Sequence, residues 1–580
     1  MRSLALALLG LLPAFARTEE PPKPKLVVVL VFDQMRGDYL ERWQTLFRED
    51  GFKRLQTQGA WFTDCHYPFA STMTGPGHAA ILSGAGPNRH GIIHNDWYDR
   101  AAAASVNCAS NDRYQFVPPL KKAAVEPLPD ADKEKDEEPA GKEKLAGNPE
   151  RMLCETVADV LKANTKGKAI GISLKDRGAL LPVGKSPDAA YWFNGQFLTS
   201  TYYRDSVPAW VSDFNRNGLA ESYYAKEWTR FRSDVDYDKW AGPDEAPGEG
   251  KGISQGPKFP HPTTGGVKAA AGKYYDAVAT SPFGNELLLA FAKKCIEAEK
   301  LGQGDAADLL AVSFSANDLV GHVYGPDSQE VLDVTLRSDA VVAELLKHLD
   351  ATVGPGRYAV VLTADHGICP MPEQSAKRGI DAKRISSVAL IAGAEKHLRE
   401  LYGEPEPPGA EAPKAKARWI EAIAAPHIYL NHRQIAAKKR TVKEVADAFA
   451  AYLRKQEGIE RAYTAEQLAP PPQPDEEKIL TMAKRSFFPA RSGDVYVVLK
   501  PYHLVGTIST VARLATGTTH GSPHPYDTHV PLVAFGPGVP GGTRSERVTP
   551  LHSAAIASWF LNVSKPKDAE YDLPKTFLAK

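Results

Sequence analysis

Six residues scattered along the chain share one chemical character and one kind of setting. Asp33 closes an apolar run, Leu26 to Phe32, and Asp365 and His366 close another, Tyr358 to Thr363. Asp318 follows a third run, Leu309 to Phe314, and His322 comes four residues later, on the same face if that turn is helical. His520 lies in the loop-like segment Gly517-Thr518-Thr519-His520-Gly521-Ser522-Pro523. Three carboxylates and three imidazoles suit zinc, with manganese and iron also compatible. Each fragment alone is ordinary, since an Asp after a strand commonly caps a turn. Four such fragments in one chain point to a metal centre.

A second segment, Thr72-Met73-Thr74-Gly75-Pro76-Gly77-His78-Ala79-Ala80-Ile81-Leu82, supplies a hydroxyl. Gly and Pro ahead of an apolar helical start predict that Thr74 sits at or near a helix N-terminus. Unpaired N–H groups and the helix dipole there favour an anion. A hydroxyl in that field, beside a divalent cation, can ionise and attack phosphorus. Thr74 is equally suited to capping the helix, and Ser71 and Thr72 are neighbouring candidates for the nucleophile. A third segment, Ser173-Leu174-Lys175-Asp176-Arg177-Gly178-Ala179, carries two cations that point the same way if the chain is extended. Lys175 as a point charge and Arg177 as a fork can grip two phosphoryl oxygens, although a charged surface turn is the plainer reading. Asn95 can add a neutral donor or simply serve a turn.

The elements that must position these groups are legible too. The three apolar runs, with Ala169 to Ser173, read as strands buried on both faces, which requires helices above and below. Candidate helices cover Asn285 to Leu301 and Asp327 to Leu349. The expected fold class is α/β, an α/β/α sandwich around a largely parallel sheet, with ligands gathered beyond the carboxyl ends of its strands. Irregular insertions at about 100–165, 185–280 and 400–490 are expected to cap the site. Pro118 to Glu150 is rich in Lys, Glu, Asp, Ala and Pro, the composition of a solvated surface excursion. Glu404 to Lys416 and Pro470 to Glu477 read as loops.

At 580 residues with 43% hydrophobic and 24% charged residues, the chain has the composition of a globular enzyme. Its formal net charge of zero gives no global attraction to nucleic acid or anionic lipid, so any anion must be held locally. Residues 1–16 read as a signal peptide, with Arg2, an apolar stretch from Leu4 to Leu12 and the small-x-small motif Ala14-Phe15-Ala16. That stretch is too short to span a bilayer. A single catalytic domain over residues 17–580, periplasmic or secreted, monomeric and without stable membrane insertion, is the expectation. Cys65, Cys108, Cys154, Cys295 and Cys369 are too widely spaced for a zinc ribbon, and their pairing is left open.

Taken together, the motifs resemble those of the alkaline phosphatase superfamily, and most closely its PafA-type bacterial phosphate monoesterases. The resemblance runs through Phe32-Asp33-Gln34-Met35-Arg36-Gly37-Asp38-Tyr39, Thr74 to Ala79, Gly91 to Tyr98, Leu174 to Ala179, Asp318 to His322, Thr363 to Gly367 and Thr519 to Ser522, in the family's order. It implies two zinc ions, one held by Asp318, His322 and His520, the other by Asp33, Asp365 and His366 with the Thr74 oxygen. It also implies a covalent phosphothreonine on Thr74, and Asn95, Lys175 and Arg177 as the groups that bind the non-bridging oxygens.

That trio bears on substrate class. A monoester dianion uses both cations, whereas a diester leaves one underused, at about 1.5–3 kcal/mol per lost charge-assisted contact. By the same resemblance, diesterases offer an apolar pocket in place of the Lys/Arg pair, and sulfatases need a modified Cys or Ser where Thr74 stands. The expected substrates are small-molecule phosphate monoesters. The alternatives are a phosphodiesterase or nucleotide pyrophosphatase of the same superfamily, and a non-catalytic phosphate- or metal-binding protein on the same fold.

Overall fold

A computed structural model describes residues 23–120, 125–128, 145–407, 417–506 and 516–579. The expected signal peptide, much of the charged run 118–150 and most of 404–416 lie outside these residues.

Leu26–Phe32 has seven apolar residues without alternation, so it can only sit where both faces are dry. It forms β1, the middle of a ten-stranded sheet. Numbering the strands of this sheet alone, β2 is Ala60–Cys65, β3 Phe116–Val117, β4 Ala169–Ser173, β5 Ala189–Phe193 and β6 Phe197–Ser200. Strands β7 Asp308–Phe314, β8 Tyr358–Thr363, β9 Leu532–Phe535 and β10 Gly542–Val548 complete it. Their order across the sheet is β10-β2-β9-β8-β1-β7-β4-β5-β6-β3. The five strands from β8 to β5 are parallel, with Leu26 opposite Asp308 on one side and Tyr358 on the other. The margins are mixed. Strand β9 runs antiparallel to both β8 and β2, and β5 turns straight back into β6. Antiparallel neighbours need only a short turn, whereas each parallel pair needs a crossover long enough to hold a helix.

Those crossovers supply the outer layers. Helices α1 Thr74–Ser83, α2 Asp176–Leu180 and α6 His552–Leu561 pack together over one face. Helix α3 Pro282–Glu299 covers β4 and β7 on the other, with α5 Gln329–Thr352 against it. The short helix α4 Ala316–Tyr324 stands at the carboxyl end of β7. The α/β/α sandwich read from sequence is the architecture found.

The insertions are more ordered than their composition suggests. Within 185–280, β5 and β6 extend the central sheet. The rest of that insertion carries the helices Ala209–Arg216, Tyr237–Ala241 and Lys273–Ala279 between irregular stretches and reaches the sheet's carboxyl end, where Gly250 N–H donates to Val323 O and Gly517 N–H donates to Gly248 O. Within 400–490, and running on to 499, strands Ile420–Ala424, His427–Leu430, Ile459–Thr464 and Val495–Leu499 form a separate four-stranded sheet. Helices Ser387–Tyr402 and Val442–Leu453 close a second core with it around Trp419, Phe449 and Leu453. All five cysteines are buried free thiols. Among the described residues, no helix is long and apolar enough to cross a membrane.

Helix α1 approaches the end of β8 so closely that only glycine fits. A Cβ at Gly77 would lie 2.2 Å from the Asp365 carbonyl oxygen and 2.8 Å from Asp365 Cβ. Backbone cannot swing aside as a side-chain tip can. We expect Gly77→Ala to lower stability by about 1–3 kcal/mol in urea unfolding. Gly304→Ala, whose Cβ meets nothing within 4 Å, should stay within about 1 kcal/mol of the parent.

Candidate active site

At the carboxyl ends of β1, β7 and β8 the six predicted carboxylates and imidazoles fall into two groups. Asp33, Asp365 and His366 form one, and Asp318, His322 and His520 the other, with ligand atoms in each group within 4.8 Å of one another. Asp33 follows β1, Asp365 and His366 follow β8, and Asp318 and His322 lie one turn apart on α4. His520 comes from the loop between residue 516 and α-helical Pro525–Thr528.

Backbone carbonyls fix all three imidazoles. Nδ1 of His322 lies 2.8 Å from Thr518 O, Nδ1 of His520 lies 2.8 Å from Thr72 O, and Nδ1 of His366 lies 2.9 Å from Gly367 O. A carbonyl can only accept, so each Nδ1 carries the hydrogen and each Nε2 faces the carboxylates. Metal-binding histidines are commonly oriented in this way. Nε2 of His322 is 3.2 Å from Asp318 Oδ1, and Nε2 of His366 is 3.2 Å from Asp365 Oδ2. The rings of His366 and His520 stack at 3.5 Å, which brings the two groups side by side.

Charge at the site is balanced tightly. Burial raises the Asp33 carboxyl to about 6, with Asp318 and Asp365 adding to the effect and Lys175 opposing it. Burial also penalises a charged His366, yet Asp365 and Asp33 outweigh that and push its imidazole up to about 9. For Asp318 burial is again the largest influence, but Lys175 and His322 hold its carboxyl well below the usual range. Asp33 Oδ1 and Asp365 Oδ2 are buried and accept no well-aligned hydrogen bond among the described residues, although His366 Nε2 stands 3.5 Å from the first and 3.2 Å from the second. An orphaned carboxylate oxygen is costly, and a cation between such oxygens would satisfy them. With three imidazole Nε2 atoms alongside, the donor set fits divalent metal ions.

Thr74 is the first helical residue of α1, after Met73 as the cap residue, so it does not cap the helix. Its Oγ1 lies 3.3 Å from His366 Nε2, inside the site. The neighbouring hydroxyls are committed elsewhere: Ser71 Oγ donates to Ile93 O at 2.6 Å and Thr72 Oγ1 to Ser522 O at 2.8 Å. The helix offers fewer free N–H groups than the sequence suggests. Gly75 N–H donates to Asn95 Oδ1 at 2.7 Å, Pro76 has none, and Gly77 N–H returns to Met73 O. The Gly75 bond also settles the flip of the Asn95 amide, because its oxygen must face the helix and its Nδ2 must face away.

Lys175 and Arg177 are not two residues of an extended strand. Lys175 is the cap residue of α2 and Arg177 lies in its first turn. A cap residue is extended and the next residues are helical, so the alternation expected of a strand ends there. Both cations nonetheless reach the same place. Lys175 Nζ lies 2.7 Å from Asp33 Oδ2 and also pairs with Asp318 Oδ2, spanning the two groups. Burial opposes the Arg177 charge, yet Asp176, then Cys108, Asp33 and Asp318 outweigh it and raise the guanidinium above its ordinary value, while its buried Nε lacks a partner among the described residues.

Two positioning residues escaped the sequence reading. His78, one turn after Thr74, is fully buried, with Nδ1 2.9 Å from Thr74 O and 3.1 Å from Asp365 Oδ2, and Nε2 2.7 Å from Ser313 Oγ. Its spacing from Thr74 on one helix was the signal available. Gln34 donates its backbone N–H to Asp365 Oδ1 at 3.1 Å and its amide to Asp318 Oδ1 at 2.6 Å, touching both groups. It does so at φ 68, a left-handed conformation that disfavours side chains by about 1–2 kcal/mol. Strain of this kind tends to be kept where function requires it.

The chain has informative relatives. The family model described as "Type I phosphodiesterase / nucleotide pyrophosphatase" matches residues 27–523. Alkaline phosphatase PhoV of Synechococcus elongatus is 32% identical over 554 residues, covering 94% of this chain and 91% of the relative. Alkaline phosphatase PafA of Elizabethkingia meningoseptica is 31% identical over 569 residues, covering 95% and 94%. The crystal structure of wild-type alkaline phosphatase PafA superposes with a TM-score of 0.82 at 29% identity, over 96% of this chain and 99% of that one. The chain belongs to the type I phosphodiesterase/nucleotide pyrophosphatase family, and within it to the PafA-type alkaline phosphatases.

Proposed function

We propose that this chain hydrolyses phosphate monoesters through a covalent phosphothreonine on Thr74, releasing inorganic phosphate outside the cytoplasm, in the periplasm or as a secreted enzyme. Two zinc ions would be held by Asp33, Asp365, His366 and Thr74 in one site and by Asp318, His322 and His520 in the other. One observation carries the reading: the Thr74 hydroxyl lies against His366 of one donor group, Lys175 spans that group and the second, and Asn95 holds the start of the Thr74 helix.

Two bound divalent cations would supply the positive charge that ionises the Thr74 hydroxyl and stabilises the departing oxygen. Thr74 Oγ1 bonds to phosphorus as the bond from phosphorus to the alcohol oxygen breaks, and the alcohol leaves with a proton. Water then attacks the phosphothreonine, freeing phosphate and restoring the Thr74 hydroxyl. Lys175 and Arg177 neutralise the non-bridging oxygens and Asn95 Nδ2 donates to one of them. His78 and Gln34 keep Asp365 and Asp318 aimed into the site.

The family's diesterase name supports a second reading, phosphodiester or nucleotide pyrophosphate hydrolysis. The Lys175/Arg177 pair favours the monoester, because a diester lacks the second negative charge that such a pair neutralises. A purely binding role fits poorly with a donor set in which no ligand is missing.

Zinc-loaded protein assayed side by side on a phosphate monoester, a diester and a sulfate ester is expected to turn over the monoester fastest. Faster diester turnover would refute the reading. Thr74→Ala should abolish turnover while bound zinc, measured by elemental analysis, stays near that of the parent. If Ser71→Ala or Thr72→Ala does so instead, the nucleophile is misassigned. Lys175→Ala should reduce monoester turnover by about ten- to a hundredfold more than diester turnover. Equal losses would remove Lys175 from the proposed clamp.

A further inference from the structure

An apolar chamber of about 410 Å³ lies beside the site, between the main sheet's carboxyl end and the second core. At one end its lining includes Met73, His520 and Gly521. Deeper in, the walls are Leu390, Ile391, Ala394, Ile423, Phe449 and Leu453. A volume of 300–1,000 Å³ with mostly apolar walls is typical of a small-molecule site.

The position of the chamber tells what would enter it. Its lining includes His520, with Met73 and His94 from the segments that carry Thr74 and Asn95, and none of the other candidate metal ligands or phosphate-binding residues. On the proposed reading, the Asp318–His322–His520 group stands beside the departing oxygen, and the other residues hold Thr74 and the phosphoryl oxygens. The chamber therefore adjoins the site through His520, and the hydrocarbon that a phosphate monoester brings is carried by its leaving alcohol. We propose that it binds a hydrocarbon chain on the leaving alcohol, so that the preferred substrates are phosphate monoesters of long-chain alcohols. This inference rests on the monoesterase reading. It is independent of the Lys/Arg clamp, which acts on the phosphoryl end common to all monoesters.

The test is a series of methyl, butyl, hexyl and octyl phosphates, kept below their micellar concentrations, with the zinc-loaded full chain. Simple n-alkyl alcohols differ little as leaving groups, so a trend across the series reports burial and not bond strength. We expect kcat/KM to rise about three- to fourfold per methylene until the chamber is full. In direct binding, n-octylphosphonate should bind at least tenfold more tightly than methylphosphonate. Ile423→Trp, which fills the chamber from the small sheet, should flatten both trends and leave methyl phosphate turnover unchanged. Ile391→Trp, from the Ser387–Tyr402 helix, serves the same purpose should the first variant fold poorly. Methyl phosphate turnover with a flat series would overturn the chamber's role and leave the monoesterase reading standing. Octylphosphonate bound tightly, with no phosphate ester hydrolysed, would overturn the monoesterase reading and keep the chamber. Trends unchanged in both tryptophan variants would place hydrocarbon binding elsewhere and overturn the inference.

Discussion

Three carboxylates held almost entirely away from water set the terms for this molecule. Asp33, Asp318 and Asp365 stand together at the carboxyl ends of parallel strands, where burial opposes their charge and mutual repulsion adds to it. Everything near them answers that constraint. Lys175 spans two of them, His78 and His366 lie against the third, and Gln34 is bent into a left-handed conformation to reach two. A site built to gather positive charge suits a reaction whose substrate arrives as a dianion.

The sheet makes that concentration of charge affordable to the fold. Strands β1, β7 and β8 are adjacent and in parallel register, so residues just beyond their ends converge without loops of their own to order. The two helical layers keep solvent from the strands, and the glycine at position 77 lets α1 come within touching distance of the Asp365 backbone. Placement of the candidate site is thus mostly a consequence of the fold, with His520 and Asn95 coming from loops.

Much of this was legible in the sequence, for a local reason. A continuous apolar run ending in Asp announces both a buried strand and its carboxyl end, and the four runs read as strands are strands. The helices between them announce themselves by length and spacing. What was not legible depends on partners far apart in sequence. The Gly75–Asn95 bond, which uses up a helix N–H, and the Gln34 bridge to Asp318 have no local signature. The strand rule misled at Lys175 because a strand end and a helix cap share one extended residue. Composition also understated the 400–490 insertion, whose charged and proline-rich turns mask the apolar strands Val495–Leu499 and His427–Leu430.

One small feature ties the parts together. His520 Nδ1 donates to Thr72 O while Thr72 Oγ1 donates to Ser522 O, a reciprocal clasp between the segment that leads into Thr74 and the loop that carries a metal-ligand candidate. Through it, the two segments form one mechanical unit across nearly the whole length of the chain. An ion gripping His520 would therefore stiffen the approach to Thr74, the proposed nucleophile, without touching that segment.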